Sequence, residues 1–325
     1  MRHKISAIDK YLTDNSSYGM NTQITHRVFG ENAQKAINCA NAEIIRLENI
    51  MSRFIPGSEI NAISEFSGIK PVKVCDEVYR VLAYANELSK ASDGLFDVTI
   101  GPLVDLWNYK HASGVPDEAD IRQVLPLVSY CDLQLNPCEN TAELGARGQS
   151  IDLGGIGKGF ASERIIEIFK RYDIVSAFTN IGGNVSTLGN KPDGTPWMVG
   201  IRHPRQEGCL LGAIPVAGKS VVTSGDYERY FIDREGVRRH HILNPDTGYP
   251  AESGLMSVTV VSDRAMSADA LSTLIFVAGL EKGTEFIKKS PGTEAVMVDE
   301  HQQIYITRGL EDYFQPAAYI TTKII

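Results

Sequence analysis

The 325-residue sequence has no run of about 18 apolar residues, the length a membrane helix needs, so no span is expected. Its first residues, Met-Arg-His-Lys-Ile-Ser-Ala-Ile-Asp-Lys, are basic, but Asp9 and Lys10 interrupt the apolar core of a signal peptide. The five cysteines (Cys39, Cys75, Cys131, Cys138, Cys209) are odd in number and scattered. They have neither metal-ligand spacing nor the pattern of a disulfide framework, so a reducing, cytoplasmic setting is the simplest expectation. No Lys/Arg cluster offsets the formal net charge of -8, which argues against a nucleic-acid partner and serves solubility. Among the seven histidines (His3, His26, His111, His203, His240, His241, His301) none forms a His-x-x-x-His zinc pair. There is no Gly-x-Ser-x-Gly elbow of a serine hydrolase. Repeats, low-complexity tracts and linkers are absent too.

What remains is a globular composition, 43% hydrophobic with 29 glycines. The length allows one large domain or two lobes around a sizeable core. Residues 17–28 contain the alternating stretch Met20 to Val28, a predicted strand. Helices are predicted over 31–52 and 76–92, where apolar residues recur at steps of three and four. A short helical piece follows at 116–127 and a strand at 128–135. Further strands are predicted over 174–181, 197–201, 211–216, 255–262, 295–298 and 304–307. A hairpin spans 230–243 and turns at Arg234-Glu235-Gly236. Helical spacing returns from Ala265 and again near 281–290. Strands and helices are mixed without strict alternation, so the fold class is α+β, with mixed sheets and packed helices.

Three stretches carry candidate chemistry. Gly94 to Val104 brackets an apolar segment and one acid, Asp97, and reads as a loop between elements. Ile151-Asp152-Leu153-Gly154-Gly155-Ile156-Gly157-Lys158-Gly159-Phe160-Ala161 joins a short strand to a helix. The bare N–H groups of a helix start form an anion seat. It is not a P-loop, because Gly159 follows Lys158, nor a dinucleotide fingerprint, because Phe160 replaces the third glycine. A tight connection is the plainer reading. In the third stretch, His240 to Thr273, Asp269 and Thr273 stand one helical turn apart. Two hard oxygens on one face suit magnesium. The plainer reading makes Asp269 a first-turn acid and lets Thr273 bond its own helix. His240 and His241, adjacent on a strand, face opposite sides, one toward a cleft.

Taken together, four segments resemble the ApbE family of flavin transferases, which move FMN from FAD onto a Ser or Thr of a target protein. They are Gly-Leu-Phe-Asp-Val-Thr-Ile-Gly-Pro-Leu-Val (94–104), Ile-Asp-Leu-Gly-Gly-Ile-Gly-Lys-Gly (151–159), Thr-Ser-Gly-Asp-Tyr (223–227), and His-Ile-Leu-Asn-Pro-Asp-Thr-Gly (241–248) with Ala-Asp-Ala-Leu-Ser-Thr (268–273). Met20 to Thr22, where the family usually has Met-Gly-Thr, and residues 52–61 match more weakly. The resemblance implies one domain over 1–325, with two lobes and the flavin site between them. It implies FAD as substrate, magnesium, and an acceptor flavoprotein with a Ser or Thr attachment site. By position, Asp269, Thr273 and the Gly155 carbonyl fall at metal ligands. Met20, Phe54, Leu95, Phe96, Asp97, Lys158 and Ile242 fall at flavin-nucleotide positions, and His241 at the base. Many relatives are exported lipoproteins, whereas this sequence looks like a cytosolic member. Two other activities fit the same residues: a magnesium-dependent FAD pyrophosphatase, with water replacing the acceptor, and a flavin carrier without chemistry.

Overall fold

The computed structural model describes residues 11–109, 114–318 and 320–325. The amino-terminal stretch read above, with His3, and His111 lie outside them. Strands and helices follow in the order β1 (Leu12–Gly19), β2 (Thr22–Phe29), α1 (Ala33–Met51), α2 (Glu59–Glu65), β3 (Val72–Lys73), α3 (Asp76–Ala91), α4 (Gly101–Trp107), α5 (Glu118–Val124), β4 (Leu133–Asn136), β5 (Thr141–Leu144) and α6 (Gly157–Arg171). Then come β6 (Ser176–Ile181), β7 (Asn184–Leu188), β8 (Trp197–Arg202), β9 (Leu210–Val216), β10 (Ser220–Gly225), β11 (Tyr230–Ile232), β12 (Arg238–His240), β13 (Leu255–Ser262), α7 (Ala265–Lys288), β14 (Glu294–Asp299), β15 (Ile304–Ile306), β16 (Gln315–Pro316) and β17 (Thr322–Ile324).

A nine-stranded sheet, β1-β2-β6-β7-β10-β13-β14-β15-β17, is the frame; each neighbouring pair is antiparallel except β15 and β17. Both of its faces are covered, which is why β13, Leu-Met-Ser-Val-Thr-Val-Val-Ser, is buried along its whole length. Strand alternation sends Ala295 and Met297 of β14 toward the helices and Val296 and Val298 to the other face. On the helical side α1, α6 and α7 pack over the sheet. On the other side the small sheet β16-β9-β8 lays Trp197, Ile214 and Val216 against it. A third apolar cluster, around Leu103, Trp107, Ile121 and Leu243, seats α4 under the turn-rich 244–250 segment, where Trp107 Nε1 donates to the Gly248 carbonyl at 2.8 Å. The expected α+β class with mixed sheets is met.

Several boundaries differ from the sequence reading. The alternating stretch from Met20 is not one strand: Met20 and Asn21, both at positive φ (50° and 58°), form the two-residue turn between β1 and β2. That conformation favours Asn or Gly, so Asn21 meets the same backbone demand a glycine would. No strand enters the glycine loop; residues 151–153 are irregular. The strand expected over 128–135 is a short 3-10 turn followed by β4. The two helices expected after Ala265 are one stretch, α7, broken at Gly279, whose φ is +81°. The second strand of the expected hairpin ends at His240, so His241 lies just beyond β12. All five cysteines are free, and among the described residues no helix is long and apolar enough to cross a membrane.

Candidate active site

The glycine loop ends where α6 begins, and α6 crosses the start of α7 closely. Gly159 makes that crossing possible: a Cβ there would sit 2.6 Å from Asp269 Cβ and press on the Ala265 carbonyl. The crossing places Asp269, 3% exposed, with its Oδ2 accepting the Gly159 N–H at 2.8 Å. Asp269 therefore satisfies one of the bare amides of α6 and sits at the positive end of that helix. It is not in the first turn of α7, as the plainer reading supposed. Its Oδ1 is 4.0 Å from Lys158 Nζ, and that ammonium also donates to the Gly154 carbonyl at 3.1 Å.

One turn along α7, the Thr273 hydroxyl lies 3.2 Å from Ser224 Oγ and 3.4 Å from its own helix carbonyl at Asp269. Ser224 is also 2.8 Å from Ser272 Oγ. Gly155 faces this group, since a Cβ on it would be 3.2 Å from Thr273 Oγ1 and 3.3 Å from Phe96. The donors gathered here are all hard oxygens with a single carboxylate. Among the described residues no group of three or more His, Cys, Asp and Glu could hold a metal. A softer ion held by the protein alone is not what this set suits. An ion that keeps most of its shell for water and phosphate, as magnesium does, fits it.

His240 and His241 do face different surroundings. His240 is 7% exposed, edge-on to Phe276, with Nε2 3.1 Å from the Ala251 carbonyl. His241 lines the cleft. Its backbone N–H and its Nδ1 both meet the Arg229 carbonyl, at 3.0 and 3.2 Å. A carbonyl can only accept, so Nδ1 carries the proton in that bond and Nε2 keeps its lone pair. Burial pushes the imidazole down to about 3, helped by the positive charge of Arg229, by His240 and by Lys158. That lies well below the ordinary histidine value, so His241 is neutral across the physiological range.

Asp97, 7% exposed, accepts the N–H and the hydroxyl of Thr99, both at 2.7 Å, and so folds the loop before α4. Burial raises its carboxyl above the ordinary value, and the Thr99 bonds offset this only in part. Phe54 is 68% exposed at the end of the α1 loop, whereas Phe96 and Ile242 are buried. Every one of the expected site residues — Met20, Phe54, Leu95, Phe96, Asp97, Gly155, Lys158, His241, Ile242, Asp269 and Thr273 — lines one cleft of about 1370 Å³. That exceeds the roughly 300–1,000 Å³ of ordinary small-ligand sites. The sequence reading missed Arg53, Ser224 and Arg229, which line it as well. Ser224 lies inside the 223–227 segment, and Arg53 is beside Phe54, so a signal was present for both.

Fold and cleft together define an α+β protein with a large cleft of mixed apolar and polar lining, a neutral imidazole and a lysine beside a buried carboxylate. The sequence model of the ApbE family matches residues 20–297, and the chain belongs to that family. A Klebsiella pneumoniae (strain 342) protein named FAD:protein FMN transferase is 35% identical over 84% of this chain and 85% of its own length. A Treponema pallidum protein of the same name is 32% identical, covering 88% and 84%. The crystal structure of the ApbE protein from Thermotoga maritima superposes with a TM-score of 0.86 at 30% identity, covering 93% of this chain and 99% of that one.

Proposed function

We propose that this chain, acting as one unit over residues 1–325, transfers FMN from FAD to a Ser or Thr hydroxyl of an acceptor flavoprotein, with magnesium, releasing AMP. The observation that carries the reading is the convergence of the family-matched segments on one cleft, with hard oxygens beside a neutral imidazole. The names of the relatives support it.

Asp269, Thr273 and the Gly155 carbonyl would hold the ion, with Ser224 orienting the Thr273 hydroxyl. Magnesium, when bound, would draw charge from the pyrophosphate oxygens. Lys158 and the start of α6 bring further positive potential to the same phosphates. Met20, Phe54, Leu95, Phe96, Asp97 and Ile242 would wall the flavin nucleotide. The acceptor oxygen attacks the phosphorus on the riboflavin side, and the bond from that phosphorus to the AMP oxygen breaks. The hydroxyl proton goes to Nε2 of His241, held in place by the Arg229 carbonyl. A base pushed to about 3 is weak, and a bound polyanion beside Lys158 and Arg229 raises its basicity when substrate arrives.

Incubation with FAD, magnesium and an acceptor tests this. A flavin-fluorescent acceptor that survives denaturing electrophoresis is the expected result. AMP release without labelling would instead mean hydrolysis, and neither product would mean a carrier.

A further inference from the structure

We propose that Arg53 is a positioning residue that ties three walls of the cleft together and so presets the FAD seat; this rests on the FAD reading above. The Arg53 side chain is only 9% exposed. Its Nη2 donates to Asp105 Oδ2 at 2.7 Å, to the Gly101 carbonyl at 3.3 Å and to Ser150 Oγ at 3.3 Å. Its Nη1 reaches Asp152 Oδ2 at 3.5 Å. These partners are 48 to 99 residues away in sequence, on segments that local structure alone does not bring together.

Each segment leads directly into the cleft. Arg53 precedes Phe54, and its guanidinium lies 5.3 Å from that ring. Gly101 and Asp105 belong to α4, which follows the loop of Leu95, Phe96 and Asp97. Ser150 and Asp152 enter the glycine loop. Asp152 uses its other oxygen, Oδ1, to accept the Gly154 N–H at 2.7 Å, and the Gly154 carbonyl takes Lys158 Nζ. One planar fork thus reaches all three walls, which the point charge of a lysine cannot do. Stability alone is a poor reason for the tightest bond, because Asp105 is 61% exposed and such pairs contribute little. Arg53 itself touches none of His241, Asp269 and Thr273; the relay comes nearest through Lys158, whose Nζ lies 4.0 Å from Asp269 Oδ1. Losing the tie should therefore loosen substrate seating and leave the chemical step intact.

The test uses full-length Arg53→Met, Arg53→Lys and Asp105→Asn proteins. FAD affinity is read by flavin fluorescence titration with magnesium, beside KM and kcat for FAD and melting without ligand. Arg53→Met is expected to weaken FAD binding about ten- to a hundred-fold, the scale of charged hydrogen bonds, with KM rising and kcat nearly unchanged. Arg53→Lys should recover only part of the affinity. Asp105→Asn should also weaken FAD while melting like the wild type; if Arg53→Met fails to fold, this variant decides. FAD affinity unchanged in Arg53→Met or in Asp105→Asn, or a fall in kcat at constant KM, overturns the proposal. A wild-type protein that binds no FAD removes the functional reading and this proposal with it, whereas wild-type binding with an unaffected Arg53→Met removes this proposal alone.

Discussion

Replacing Asp269 separates two jobs that the structure gives one carboxylate. Its Oδ2 satisfies the buried Gly159 amide at 2.8 Å, and its charge is the only one among the proposed metal ligands. Asp269→Ala removes both. Leaving a buried N–H without a partner costs about 1–3 kcal/mol. At roughly 2–4 °C of melting temperature per kcal/mol, that is a drop of several degrees. Asp269→Asn keeps an acceptor for the amide and removes the charge. It should therefore melt closer to the wild type than Asp269→Ala does, yet lose magnesium-dependent AMP release at least about a hundredfold. The assay is thermal unfolding of the three proteins with and without magnesium, followed by AMP release from FAD. An Asp269→Asn protein with near-normal, magnesium-dependent turnover would refute the metal assignment. An Asp269→Ala protein that melts like the wild type would refute the cap.

His241→Ala is expected to lose about 10²–10⁴-fold in transfer while FAD still binds, and His240→Ala to leave the rate far less affected; equal damage from both would mean His241 packs or binds instead. Because His241 is held near 3, kcat/KM should show no acid limb near pH 6.5; a limb there that vanishes in His241→Ala would contradict the pKa shift. Gly155→Val is expected to weaken FAD and magnesium binding by pushing on Thr273 and Phe96, with a modest change in melting, whereas Gly159→Ala should cost about 1–3 kcal/mol of stability at the α6–α7 crossing; the reverse order in thermal melts would sink this. His26, 2% exposed, is lowered to about 4 by burial, so its folded state disfavours the proton. That stability is fully present above about pH 6.5 and is lost as pH falls toward 4, by roughly 2 kcal/mol at pH 5. Urea unfolding at pH 7 and 5 should show the loss, and His26→Leu should remove that share while the part due to the buried His240 and His241 remains.

The long amphipathic helices were legible because their apolar faces repeat over several turns, as in α1 and α3. The short helices α2 and α4, seven residues each, gave too few turns for a period to show. The alternation through Met20 concealed a turn because Asn21 supplies positive φ without a glycine. The cleft residues were legible through the matched segments, yet spacing said nothing of how they meet. Asp269 reaches Gly159 across 110 residues, and Arg53 reaches Asp152 across 99. The depressed pKa of His241 was out of reach for the same reason: burial and the neighbouring charges of Arg229, His240 and Lys158 come from tertiary packing.

The most direct measurement of the central claim is transfer itself. The full chain, FAD, magnesium and a candidate acceptor flavoprotein are incubated, denatured and separated, and in-gel flavin fluorescence is read beside AMP in solution. The account predicts a fluorescent acceptor band, one AMP per flavin attached, and loss of both signals with Asp269→Asn. AMP appearing without a labelled acceptor, or labelling that persists undiminished in Asp269→Asn, would contradict it.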